Sequence, residues 1–154
     1  MLQRLQDSAF SQWVVGSDSL LAYPTILTLH TAGLALVVGA SVVVDLRTLG
    51  VGGAIPISAL RRAFTILWIG FVINLLSGLA LFASEAADKG AKPVFYVKLA
   101  LVIAALAVTS VLRRTTFGAA DDSVGPTGAA RVLAVASLVL WGGAIVAGRL
   151  MAYI

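Results

Sequence analysis

The sequence contains no cysteine, so it can form no disulfide, thiolate metal site, iron–sulfur cluster or thioether-attached haem. Histidine occurs once, at His30, and the only thioethers are Met1 and Met151, too few side chains for a zinc or copper centre within one chain. Charge is scarce too. Asp, Glu, Lys and Arg make up 12% of the 154 residues, against about 25% in a soluble domain. With 60% hydrophobic residues and a mean hydropathy of +1.01, the chain has too little polar surface to cover a water-facing globule. Lipid must cover it instead. Also missing are a phosphate loop, a glycine-rich dinucleotide turn after a strand, an HExxH pair and a hydrolase triad. The net charge of +4 would suggest nucleic acid in a soluble protein. Here the basic residues stand at helix ends, where they set topology and meet anionic headgroups.

What is present is four apolar runs. Four crossings of about 20 residues each, plus loops, use up the sequence. The expectation is therefore an all-α fold: one transmembrane domain over 1–154, a four-helix bundle with a short N-terminal interfacial helix. The spans are placed at about 21–44, 60–83, 94–112 and 130–153. Leu2, Leu5, Ala9, Phe10, Trp13 and Val14 recur at helical spacing around Arg4, Gln6 and Asp7, which predicts one amphipathic surface helix. This mixed start does not read as a cleaved signal, so the segment is expected to stay on the protein. Pro24 fits a first turn, and the first span is expected to end at Asp45-Leu46-Arg47 before the glycine-rich stretch 49–56. Ser58 is a candidate cap for the second span. Residues 84–93, with Glu85, Asp88, Lys89 and Lys92, read as a loop. Arg113-Arg114 close the third span, and Asp121-Asp122 and Gly125-Pro126-Thr127-Gly128 precede the fourth.

Loop cations set the expected orientation. The first and third loops carry six arginines (Arg47, Arg61, Arg62, Arg113, Arg114 and Arg131), whereas the other side has four flanking cations, Arg4, Lys89, Lys92 and Arg149. That predicts both termini outside a plasma membrane, with Trp13, Tyr23, Tyr96 and Tyr153 as an outer aromatic belt. Small residues predict where helices meet: Gly70, Asn74 and Gly78 on the second span, Gly33, Gly39 and Ala40 on the first, and Gly143/Ala147 and Ala144/Gly148 on the fourth.

Polar residues within the spans are few: His30, Asn74 and Lys98, with Arg149 near an end. Such residues face protein rather than lipid. At 1.5 Å per residue, His30 lies roughly 13 Å and Lys98 roughly 7 Å below the same boundary. Three nitrogen-bearing groups from three helices thus converge on one half of the bundle. The carboxylates on that side, Asp7, Asp18, Glu85 and Asp88, all belong to flanks or loops. A basic pocket of this kind suits an anionic or metal-bearing ligand. The plainer alternatives stand beside it: His30 hydrogen-bonding Asn74 or Ser77, Lys98 and Arg149 snorkelling to headgroups, and Asp45 pairing with Arg47 or capping the turn.

His30 within LHTAGLALVVGA, the segment Asp45-Leu46-Arg47-Thr48-Leu49-Gly50, Phe95-Tyr96-Val97-Lys98-Leu99 and Ala147-Gly148-Arg149 together resemble an uncharacterised family of bacterial four-helix integral membrane proteins. The resemblance covers nearly the whole chain, and DLRxLG is its most specific element. More distantly, the layout is similar to copper-resistance D membrane proteins and to HemJ-type protoporphyrinogen oxidases. In the latter a first-span His and a third-span Lys are essential and a b-type haem is bound; His30 and Lys98 hold the matching places. The chain lacks that family's Trp-containing motif after the His.

What the resemblance implies is a haem b protein of the bacterial inner membrane with a redox or electron-transfer role. His30 would be the metal ligand, with Lys98, Arg149 and Asn74 as further cofactor-binding residues. The alternatives are a non-catalytic membrane subunit or copper-handling module, and a quinone- or porphyrin-linked oxidase. Expected partners are the lipid bilayer and either a second copy or a larger membrane complex, with no nucleic acid. One histidine leaves three arrangements for the iron: five-coordinate, a sixth ligand from Lys98 or Met151, or a site shared by two His30 across a dimer through Gly33 and Gly39.

Overall fold

The structure, a computed structural model, describes residues 2–53, 56–117 and 126–153. Within them the chain forms α1 (Leu2–Gln6), α2 (Ala9–Gly16), α3 (Tyr23–Thr48), α4 (Ile57–Ser84), α5 (Ala86–Ala91), α6 (Pro93–Phe117) and α7 (Gly128–Leu150), and no strand occurs among the described residues. Four of these helices, α3, α4, α6 and α7, are long and apolar enough to cross a bilayer. Their length follows from composition: leucine, isoleucine, valine and alanine runs are broken only at the Gly/Pro-bearing turns. Between 11% and 28% of each apolar window is buried inside the protein. The remainder, including Leu36, Ile69, Leu76, Ile103 and Val139, faces outward. A helix apolar on every side needs lipid around it. The chain is an integral membrane protein with four spans.

α3 packs along α4 and α6 along α7, and α3 against α7 joins the two pairs. Two apolar clusters stack along the bundle axis. Val44, Leu60, Phe64, Leu112, Ala130 and Ala134 fill the end that carries the arginines. Val37, Ala40, Leu67, Ala105 and Trp141 fill the middle. The closest approach is between α3 and α4. A Cβ on Gly33 would stand 2.7 Å from the Asn74 amide nitrogen and 2.9 Å from the Gly70 carbonyl; one on Gly70 would stand 2.6 Å from Leu36 Cβ. The two backbones touch there, which is how small residues join helices where lipid provides no hydrophobic drive. Gly33 is thus taken up by α4 within the protomer and is not available to a second α3. Gly39, with nothing within 4 Å, remains open.

Several boundaries differ from the sequence reading. The first span runs on to Thr48, so Asp45 and Arg47 are helical rather than terminal. It ends in a Schellman turn: Val51 N–H donates to the Leu46 carbonyl at 2.9 Å and Gly50 N–H to Arg47 at 3.1 Å. Gly50 supplies the positive φ of 98° that this turn requires. α4 starts at Ile57 with Pro56 in the capping position, which puts Ser58 inside the first turn. The fourth span begins at Gly128, capped by Thr127, and its helix stops at Leu150. Asp121, Asp122 and Gly125 lie outside the described residues.

The N-terminal segment is two helices, not one. Ser8 interrupts it and accepts the Ser11 amide at 3.3 Å as the cap of α2. Ser11 Oγ reaches the Leu5 carbonyl at 2.8 Å and the Ala83 carbonyl at 3.0 Å, which ties α2 to the end of α4. The 84–93 segment is likewise not a plain loop. It contains α5, braced by Lys89–Glu85 at 2.5 Å and Lys92–Asp88 at 3.4 Å. Gln6 accepts the Ala87 amide at 2.8 Å. α1, α2 and α5 therefore dock on one end of the bundle, with Phe10, Trp13 and Val15 still facing outward.

Candidate functional site

His30 is the eighth residue of α3 and its ring lies against α4. The room for it comes from a missing side chain: a Cβ on Gly78 would be 3.0 Å from His30 Cε1 and 3.3 Å from Nδ1. Nδ1 is 3.0 Å from the Asn74 carbonyl and 3.3 Å from Ser77 Oγ. The Ser77 hydroxyl directs its own proton to the Ile73 carbonyl at 2.6 Å. Asn74 Nδ2 also stands 3.3 Å from Nδ1, but the shorter contact is to a carbonyl oxygen and both oxygens offer lone pairs, which assigns the ring hydrogen to Nδ1. Asn74 Nδ2 donates in return to the His30 carbonyl at 2.7 Å. The neutral ring is thereby held with its free lone pair on Nε2, for which the described residues provide no hydrogen-bond partner. A histidine that binds metal has this arrangement: one nitrogen donates to a carbonyl, which fixes ring and tautomer for the other.

Lys98, the sixth residue of α6, is partly buried. Its stem runs over Gly148 of α7, where an added Cβ would lie 3.4 Å from Cε and 3.6 Å from Nζ. No described residue pairs with its ammonium. Arg149 is one residue further on, about 100° round the helix, and is exposed. Its guanidinium donates to Tyr153 Oη at 2.9 Å and sits 5.2 Å over that ring. The structure therefore brings His30 and Asn74 together with Ser77, while Lys98 lies along Gly148 of α7. Arg149 stands apart at the rim. Met151 lies in the turn after α7, where its carbonyl meets Lys92 Nζ at 3.5 Å.

From sequence, Gly78 and Gly148 read only as helix-packing residues, not as parts of the site. They matter through the space they leave for the His30 ring and the Lys98 stem. Their only signal was position, Gly78 one turn from Asn74 and Gly148 beside Arg149.

At the other end of the bundle, Asp45 does not pair with Arg47. Two residues apart on a helix, the side chains point about 200° away from each other. Asp45 faces inward and is fully buried, with Ser41 Oγ 3.3 Å from its Oδ2.

Among the described residues no three His, Asp or Glu side chains gather as a metal site. A metal held here would have to bring most of its ligands with it. Comparison with protein-family models, with curated proteins and with solved structures finds no match to this chain.

Proposed function

We propose that the protein binds haem b in the bilayer, with His30 Nε2 as axial ligand. The observation that carries this is the 3.0 Å contact of Nδ1 with the Asn74 carbonyl, which supports a hydrogen on Nδ1 and a free Nε2. A porphyrin supplies four nitrogens of its own, so one histidine suffices to hold its iron. Asn74 and Ser77 orient the ring, Gly78 admits it, and Lys98 supplies a positive charge for an anionic propionate. Arg149, held by Tyr153, serves only where a propionate reaches the rim. When bound, the haem supplies one-electron redox chemistry, and electron transfer within the membrane is the role this reading assigns. The distant resemblance of the His30 and Lys98 positions to those of HemJ-type protoporphyrinogen oxidases, which bind a b-type haem, supports it. The arginine distribution supports a plasma-membrane orientation with both termini outside.

A second reading rests on its own observation. The reciprocal pair of His30 and Asn74, each bonding the other's backbone carbonyl, is also a complete interhelical clamp. On that reading the protein is a non-catalytic membrane subunit, and His30 holds α3 to α4. An absorption spectrum with iron analysis of detergent-purified protein separates the two. A Soret band with about one iron per chain, or per two chains if a site is shared, supports haem. Protein that stays colourless after haem is offered supports the clamp alone.

A further inference from the structure

A layer of hydroxyl and carboxyl groups crosses the bundle between its two apolar clusters. Ser41 and Asp45 of α3 and Ser137 of α7 are each 0% exposed. Ser41 Oγ lies 3.3 Å from Asp45 Oδ2 and 3.2 Å from Ser137 Oγ. Thr109 of α6, 3% exposed, is one turn from Ala105 in the middle cluster and from Leu112 in the arginine-end cluster, and so stands at the same level. Three polar atoms there have no partner among the described residues: Asp45 Oδ1, Thr109 Oγ1 and Trp141 Nε1. Buried polar groups are ordinarily satisfied, and a cluster of exceptions marks water or an ion. If ionised, a carboxylate within a span needs a counter-charge, and no described lysine or arginine bonds to Asp45.

The separations around Ser41 fit weak hydrogen bonding and shared ligation alike. O–H···O hydrogen bonds cluster near about 2.7–2.8 Å, and both separations around Ser41 are longer. Oxygens that share an ion of calcium or sodium size, at about 2.4 Å from its centre, sit about 3.4 Å apart along an octahedral edge. One carboxylate balances one positive charge, which selects a monovalent ion over calcium in this low-dielectric setting. An all-oxygen set excludes soft metals. The geometry points to a sodium-sized monovalent cation site within the membrane, formed by Asp45, Ser41 and Ser137 with Thr109 as a further oxygen. Trp141 Nε1–H is the donor for an acceptor on an ion-bound water. This site is separate from the His30 group and does not depend on the haem reading.

The test is thermal unfolding of the purified parent at about pH 8, where free carboxyls are ionised, in sodium, lithium, potassium or choline chloride at equal ionic strength. Sodium and lithium should raise the midpoint by roughly 5 °C or more at 100-fold the dissociation constant, with no such rise in choline. In Asp45→Asn the ion-specific rise should vanish. If that variant does not fold, Ser137→Ala should shift the sodium response to at least about tenfold higher concentration, the loss of one ligand. Equal midpoints for the parent in sodium and choline would overturn the proposal and leave the layer to water and a proton. So would a sodium response that Asp45→Asn, or where that does not fold Ser137→Ala, leaves unchanged.

Discussion

Replacing Gly33 with alanine adds one methyl group at the tightest point of the bundle. Its carbon would stand 2.7 Å from the Asn74 amide nitrogen, 2.9 Å from the Gly70 carbonyl and 3.0 Å from Asn74 Cα. All three are backbone atoms of α4, so no side chain can rotate aside. The helices must separate, and overpacking of this kind costs about 1–3 kcal/mol. Separation also stretches the 2.7 Å bond from Asn74 Nδ2 to the His30 carbonyl, and interhelical hydrogen bonds in membranes average about 0.6 kcal/mol. Alanine's helix propensity returns about 1 kcal/mol, so the expected net destabilisation is about 0.6–2.6 kcal/mol, read by unfolding the detergent-solubilised protein with increasing denaturing detergent. Gly39→Ala is the internal control. Nothing lies within 4 Å of its added carbon, and alanine's helix propensity should make it neutral or up to about 1 kcal/mol stabilising. Equal midpoints for the two variants would refute the close α3–α4 contact.

Asn74→Leu should lose both the donor to His30 and its room beside Gly33, destabilising the α3–α4 pair by at least about 0.6 kcal/mol in the same assay. Gly148→Ala should be tolerated at 3.4 Å from Lys98 Cε, whereas Gly148→Leu should displace the Lys98 stem. Reduced affinity for added haem in the leucine variant alone would bear this out, and equal affinity would count against it. Because the chain has no cysteine, single cysteines report topology cleanly. In spheroplasts a membrane-impermeant maleimide should label Asp88→Cys and spare Gly53→Cys, and the reverse pattern would invert the orientation.

Four spans were legible because hydropathy over about 20 residues is a strong, additive signal. The ends were less so. Asp45-Leu46-Arg47 read as a boundary because charges commonly flank spans, yet helical rotation turns Asp45 inward while the Schellman turn at Gly50 sets the true end. Residues 84–93 read as loop because of their charge, although Glu85/Lys89 and Asp88/Lys92 were already spaced i, i+4 for a helix. The bonding of His30 to Asn74 and Ser77 was within reach of sequence as an alternative, since all three are polar residues in apolar spans. The Ser41–Asp45–Ser137 layer was not. Serines are common in membrane helices, and only the packing of α3 against α7 shows which of them face a carboxylate. Arg149 was placed with Lys98 on depth alone, and the i, i+4 partner Tyr153 was the overlooked competitor.

The most direct measurement is the Soret absorption of His30→Ala beside that of the parent, both purified in detergent and loaded with haem under the same conditions. Removing the imidazole deletes the only histidine in the chain, so the parent should show a Soret band that the variant loses or shifts. Circular dichroism should remain helical, because the Gly33–Gly70 contact does not depend on the ring. A helical variant with an unchanged Soret band, or a parent with none after loading, would contradict haem ligation by His30.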